Sequence, residues 1–148
     1  MAKLVIGIDP GKSGGIADTY NGFVAVAKMP ATESDINFLI SRYSEVDSCI
    51  CYIERVHAMP GQGVTSMFNF GMNYGFLRGC LIANKIPFIE VRPQQWQKAL
   101  GCTTKGLKGV AKKNVHKQKA QQLFPEQTIT PAVADALLIM RYGELMEK

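Results

Sequence analysis

The sequence is poor in several features that would place it in a special class. No stretch approaches eighteen uninterrupted apolar residues, which excludes an ordinary membrane-spanning helix. Near the start, the apolar run from Leu4 to Ile8 is cut short by Asp9, and no small-residue cleavage site follows. No secretory leader is therefore expected, and the expected location is the cytoplasm. Cysteine occurs only at 49, 51, 80 and 102, as one C-x-C pair and two singletons, which matches neither a zinc ribbon nor a disulfide framework. Cys49 and Cys51 alternate within an apolar run and are expected to be small buried residues of a strand. Tryptophan occurs once, as Trp96, and is expected to anchor its polar surroundings to the core. Between Val91 and Pro125 there is no acidic residue at all.

That last absence matters because the same window holds eight basic residues: Arg92, Lys98, Lys105, Lys108, Lys112, Lys113, Lys117 and Lys119. The rest of the chain carries nine basic residues against twelve acidic ones, so one segment accounts for the net charge of +5. A polyanion is the natural partner of so one-sided a distribution, because each neutralised phosphate releases condensed counterions. A solvated lysine-rich loop would carry the same charge, so charge alone does not decide.

The 148 residues, 47% apolar and 20% charged, suit a single domain over 1–148 with one substantial core. Lys3 to Ile8 is a short β-branched strand ended by Asp9-Pro10-Gly11. Ile16 to Thr19 and Phe23 to Ala27 flank Asn21-Gly22, a strong hairpin signal, so the chain opens with a three-stranded antiparallel meander. Ser34-Asp35 can cap a helix carrying Ile36, Leu39, Ile40 and Tyr43. Cys49 to Glu54 reads as a buried strand. Thr65 can cap a long helix to about Lys85, with Gly71, Gly75 and Gly79 forming a side-chain-free stripe for close approach to a sheet or helix. Pro87 to Val91 is a fifth strand, and Pro93 opens a short helix. Residues 101–113 read as a flexible loop, followed by helices from about Asn114 to Phe124 and from Thr130-Pro131 to about Met146. This order predicts an α/β fold: a mixed five-stranded sheet, three antiparallel strands and then parallel ones, flanked by helices.

Three carboxylates sit where packing alone would choose otherwise. Asp9 ends the first strand, although Asp-Pro-Gly is a good turn in its own right. Glu54 ends a run that a protein would bury, which is costly unless the carboxylate is paired, for instance with Arg55, or metal-bound. Asp135 lies on an otherwise apolar helical face. No matching set of buried arginines is evident, so a divalent cation, Mg²⁺ or Mn²⁺, is the economical counter-charge. Two such ions roughly 4 Å apart, held by carboxylates beside a phosphate-attracting segment, point to two-metal-ion phosphodiester hydrolysis. Phe68, Phe70, Met72, Tyr74 and Phe76 leave the long helix with more apolar surface than one core-facing stripe uses, which points to a dimer interface or burial on two sides.

Gly7-Ile8-Asp9-Pro10-Gly11, Ile53-Glu54-x-Val56, Val91-Arg92-Pro93 before a basic region, and Ala134-Asp135-Ala136-Leu137 occur in that order over nearly the whole chain. Together they resemble the RuvC-like Holliday junction resolvases of the ribonuclease H-like superfamily. The small size would suit a compact genome such as a bacteriophage's. The resemblance implies that the first and fourth strands are neighbours, bringing Asp9 and Glu54 together with Asp135 as metal ligands. It also implies a homodimer that nicks a four-way DNA junction as a magnesium-dependent endonuclease in recombination and repair. By the same resemblance Lys117, with Lys119 as runner-up, would lie beside the scissile phosphate, where a solvated lysine binding DNA is the alternative. His57 would fall where relatives can carry an aromatic that stacks on bases, an exposed loop histidine being the alternative. Arg92, Lys98, Lys105, Lys108, Lys112, Lys113 and Lys119 would meet the DNA backbone. The family has an acid or histidine one turn before the helix aspartate; here that position is Ala132, and His116 and His57 are the side chains that could replace it. Two other readings remain: a non-catalytic nucleic-acid-binding relative, and an actin-like ATPase fragment, since Asp9-x-Gly11-x-x-Gly14-Gly15 also resembles that phosphate-binding hairpin.

Overall fold

Short β-branched runs form the strands, and glycine, proline or a carboxylate ends each of the first ones. The computed structural model describes residues 2–148. Its elements run β1 (Leu4–Asp9), β2 (Gly15–Tyr20), β3 (Phe23–Lys28), α1 (Glu33–Tyr43), β4 (Cys49–Glu54), α2 (Val64–Ala83), β5 (Phe88–Val91), α3 (Pro93–Ala99), α4 (Val110–Leu123) and α5 (Pro131–Met146). The expected order of elements is the observed one. Asn21 and Gly22 both take positive φ, 52° and 82°, the backbone that a tight hairpin with right-twisted strands requires.

The sheet has the order β3-β2-β1-β4-β5. β1 pairs antiparallel with β2 and parallel with β4, and β4 pairs parallel with β5. β1 and β4 are thus neighbours, as expected. Alternation along the strands divides the core between the two faces. Leu4, Ile6, Ile8, Ile16, Cys51 and Ile53 pack with Ile36, Ile40, Leu77 and Leu81 of α1 and α2. Val5, Ala17, Tyr52 and Val91 pack on the other face with Trp96, Ala120 and the apolar side of α5. Cys51 is buried and Cys49 packs at the edge of the first cluster, and all four cysteines are free thiols. Among the described residues, no helix is long and apolar enough to cross a membrane.

Some boundaries depart from expectation. α1 begins earlier, because Thr32 rather than Ser34 is its cap: Thr32 Oγ1 accepts from the Asp35 N–H at 3.1 Å. α2 follows Gly63 directly, so its cap lies two residues before Thr65. α4 starts at Val110 and not Asn114; Gly109, at φ 58°, turns the chain, and the alanine and lysines after it are good helix formers. The stripe of Gly71, Gly75 and Gly79 does not receive another element. A Cβ at any of the three would meet nothing within 4 Å, so the stripe faces outward while Leu77, Cys80 and Leu81 face the sheet.

The close approach occurs instead on β1 and β2. A Cβ on Gly7 would lie 2.4 Å from the Met140 backbone nitrogen and 2.5 Å from the Ala136 carbonyl oxygen. One on Gly15 would lie 2.7 Å from the Ala132 carbonyl oxygen. Helix α5 therefore rests backbone to backbone on the two central strands. Gly7→Ala is expected to destabilise the protein by about 1–3 kcal/mol, read as a lower urea midpoint at unchanged slope.

Candidate active site

The sheet register builds the site. Ile8 and Ile53 are direct partners on the parallel strands β1 and β4. The next residues, Asp9 and Glu54, therefore leave the sheet side by side. Ile8 and Ile53 point to the α1/α2 face, so by alternation Asp9 and Glu54 point to the α5 face. Asp135 is on the second turn of α5, between the contacts that Ala132 and Ala136 make at Gly15 and Gly7. Three acids far apart in the chain thus come into one another's field.

Burial and mutual charge act on two of them. Burial first, then the charges of Asp135 and Glu54, push the Asp9 carboxyl well above the usual carboxylate range, and Lys113 opposes the shift. Burial pushes Glu54 up to about 7, helped by Asp135 and opposed by a hydrogen bond from Trp96 and by the charges of His116 and Lys112. The Trp96 Nε1–H donates to Glu54 Oε2 at 2.7 Å. His116 Nδ1 lies 3.0 Å from Asp135 Oδ1, and because a carboxylate only accepts, Nδ1 carries a proton. The two rings meet edge to face with centroids 5.0 Å apart. Glu54 is therefore paired with an indole, not with Arg55.

The acids are not drawn to a common point: among the described residues, no three His, Cys, Asp or Glu side chains close into a group that could hold a metal ion. The donor chemistry nevertheless fits a hard divalent cation. Three carboxylates, two of them disfavoured as anions by burial and by the charge of Asp135, lack a counter-charge of sufficient strength. Asp9, Glu54 and Asp135 are the residues that would hold one.

The basic residues lie along α3, α4 and the segment between them. On α4, His116 and Ala120 are buried toward the core; Lys112 and Lys113 flank that direction, one turn before His116. Their charges reach Glu54 and Asp9 respectively. Lys117 sits about 100° around the helix from His116 and is exposed. Lys119 is half-buried beside Gly101, and Arg92, Lys98, Lys105 and Lys108 are exposed along α3 and the segment after it. His57 is exposed in the loop after β4. Ala132 contributes no donor side chain, whereas His116 now has a position beside the acids and His57 does not share it. Sequence reasoning missed three contributors: the indole N–H of Trp96, the contact of His116, and Asn73. Asn73 Oδ1 accepts from the Gly11 N–H at 2.7 Å and fixes the loop that follows Asp9. An amide on the inner side of an otherwise apolar helix was the available signal for the last.

No sequence-family model and no curated protein sequence matches the chain. Solved structures do. Thermus thermophilus RuvC in complex with a Holliday junction substrate superposes with a TM-score of 0.58 at 16% identity, over 93% of this chain and 90% of that one. A second structure of Thermus thermophilus RuvC gives 0.57 at 16% identity, over 97% and 96%. The Fowlpox virus resolvase, in complex with Holliday junction DNA, gives 0.51 at 16% identity, over 95% and 99%. The chain has the ribonuclease H-like fold of these proteins, with the same mixed sheet and flanking helices.

The raised carboxyls have a consequence for stability. A folded-state pKa above the unfolded value means the native protein binds more protons, so stability is full below the unfolded pKa and is lost as pH rises toward the folded one. Cation-free protein is expected to lose thermal stability as pH rises from about 4.5 to about 7, the window set by Glu54. Glu54→Gln is expected to flatten part of that fall in a pH series of unfolding midpoints.

Proposed function

We propose that the chain is a structure-selective endonuclease that hydrolyses phosphodiester bonds in branched DNA, a four-way junction above all. The observation that supports it most is that Asp9, Glu54 and Asp135 lie within reach of one another's charge, with Lys112 and Lys113 beside them. The similar RuvC and poxvirus structures, each solved with junction DNA, point to the same substrate. Divalent cations, Mg²⁺ or Mn²⁺, held by the three acids would supply an activated water and neutralise charge on the phosphate.

The chain's own groups do the rest. Lys113 and Lys112 draw a backbone phosphate to the acids and offset charge that builds on it. Lys117, one turn after Lys113 on the same flank of α4, is the lysine that the resemblance offers for that place, while Arg92, Lys98, Lys105, Lys108 and Lys119 hold the backbone further out. His57, free in its loop, offers a ring on which an opened base can stack. The basic surface fixes the DNA through its phosphates, which suits recognition of branch shape.

A junction has two-fold symmetry, and the outward face of α2 suits a second copy of the chain. Val64, Phe68, Met72 and Ile82 fall on the side of the helix that carries Gly71, Gly75 and Gly79, and Val64 and Phe68 are 87% and 67% exposed. Apolar side chains beside a strip without side chains allow two such helices to approach closely. The homodimer is part of this reading.

With labelled junction, duplex and single-stranded DNA, the junction should be bound in EDTA and cut only once Mg²⁺ or Mn²⁺ is restored. Asp9→Asn should bind the junction and lose about a hundredfold or more of the cutting. Equal cutting of all three substrates would refute branch selectivity, and junction binding without cutting under any cation would leave a DNA-binding relative. Phe68→Asp should convert a dimer to a monomer in sedimentation equilibrium while the fold, by circular dichroism, is retained.

A further inference from the structure

We propose that Trp96 and His116 are a pair of positioning residues that set Glu54 and Asp135 to receive the cation, in place of a donor at Ala132. The inference rests on the cation-dependent reading above. Both rings come from the acid-free segment, Trp96 from α3 and His116 from α4. Each engages one oxygen of one acid: the indole N–H takes Glu54 Oε2 at 2.7 Å, and His116 Nδ1 meets Asp135 Oδ1 at 3.0 Å. Among the described residues, the other oxygens, Glu54 Oε1 and Asp135 Oδ2, have no side-chain hydrogen bond. The rings brace each other at 5.0 Å, so the two acids are held through one rigid unit.

His116 is a poor choice for packing alone. The residue is 4% exposed, and its Nε2 is buried with no hydrogen-bond partner among the described residues. An orphaned ring nitrogen costs stability that a leucine or phenylalanine would not, so what the histidine supplies is the contact made by Nδ1. Trp96, 0% exposed, satisfies its N–H on a carboxylate in the same way. Groups that hydrogen-bond ligating carboxylates from behind orient them and govern cation affinity.

Calorimetric titration of DNA-free protein with Mn²⁺ tests the pair. Each variant is first shown to be folded by its urea midpoint. His116→Phe, which keeps a ring and removes the nitrogen, and Trp96→Phe, which removes the N–H, should each weaken Mn²⁺ binding by about 10–100-fold. His116→Asn, whose amide can still donate to Asp135, should recover most of the loss. A purely structural role would lower the urea midpoint and leave the Mn²⁺ affinity of the folded protein unchanged, and that result in His116→Phe overturns the proposal. So does His116→Asn binding no better than His116→Phe. Should Trp96→Phe fail to fold, the two His116 variants still decide. Wild-type protein that binds no Mn²⁺, or binds it equally in Asp9→Asn, refutes the cation-dependent reading itself. That result differs from a wild type that binds normally with variants that match it.

Discussion

Helix α5 lies against β1 at Gly7, the place where that strand has no side chain on its α5 face, and the contact is so close that a single methyl group would reach the helix backbone. A helix held this near cannot slide or rotate without backbone collision, because close-packed interiors transmit rather than absorb displacement. The rotation of α5 determines which residue faces the exit of β1, and that residue is Asp135. The site is therefore held by backbone contact: Gly7 and Gly15 set the helix, the parallel register of β1 and β4 sets Asp9 beside Glu54, and the acids follow.

Bringing carboxylates together in this way opposes their charge, and the surroundings only partly offset it. Lys113 and Lys112 approach from α4, the indole and imidazole donate from α3 and α4, and still the Asp9 and Glu54 carboxyls are disfavoured as anions. Such residual imbalance is common where a protein prepares to receive a charged partner. The segment after β5 serves two purposes at once. Its outward lysines form the basic surface, and its inward residues, Trp96 and His116, touch the acids, so the surface and the site are parts of one structure.

Much of this arrangement was legible in the sequence because the signals were local. Asp9 and Glu54 stood at the ends of apolar runs, where strand alternation and burial make a carboxylate conspicuous. Asn21-Gly22 named its own turn, and Pro93 and Pro131 marked helix starts. The layer order followed from the spacing of these elements. What was not legible depended on three-dimensional phase. The lysines at 112 and 113 looked like loop residues because glycines surround them, yet lysine and alanine are good helix formers and one glycine sufficed to start α4. Once that helix starts at Val110, Lys112 and Lys113 lie one turn before the buried His116, and their charges reach Glu54 and Asp9. The glycine stripe of α2 carried the pattern of a close contact without the partner element, and nothing local distinguishes an inward stripe from an outward one. The pairing of Trp96 with Glu54 spans 42 residues and that of His116 with Asp135 spans 19, distances at which spacing carries no directional information.

The acids come from positions 9, 54 and 135, and the last of them arrives on the element that also covers much of the core. With the strands paired and α5 absent, two carboxylates would stand at an open sheet end, without the third and without the apolar cover that raises their affinity for protons. Docking of one helix thus closes the hydrophobic interior and brings the third acid to the other two in the same step.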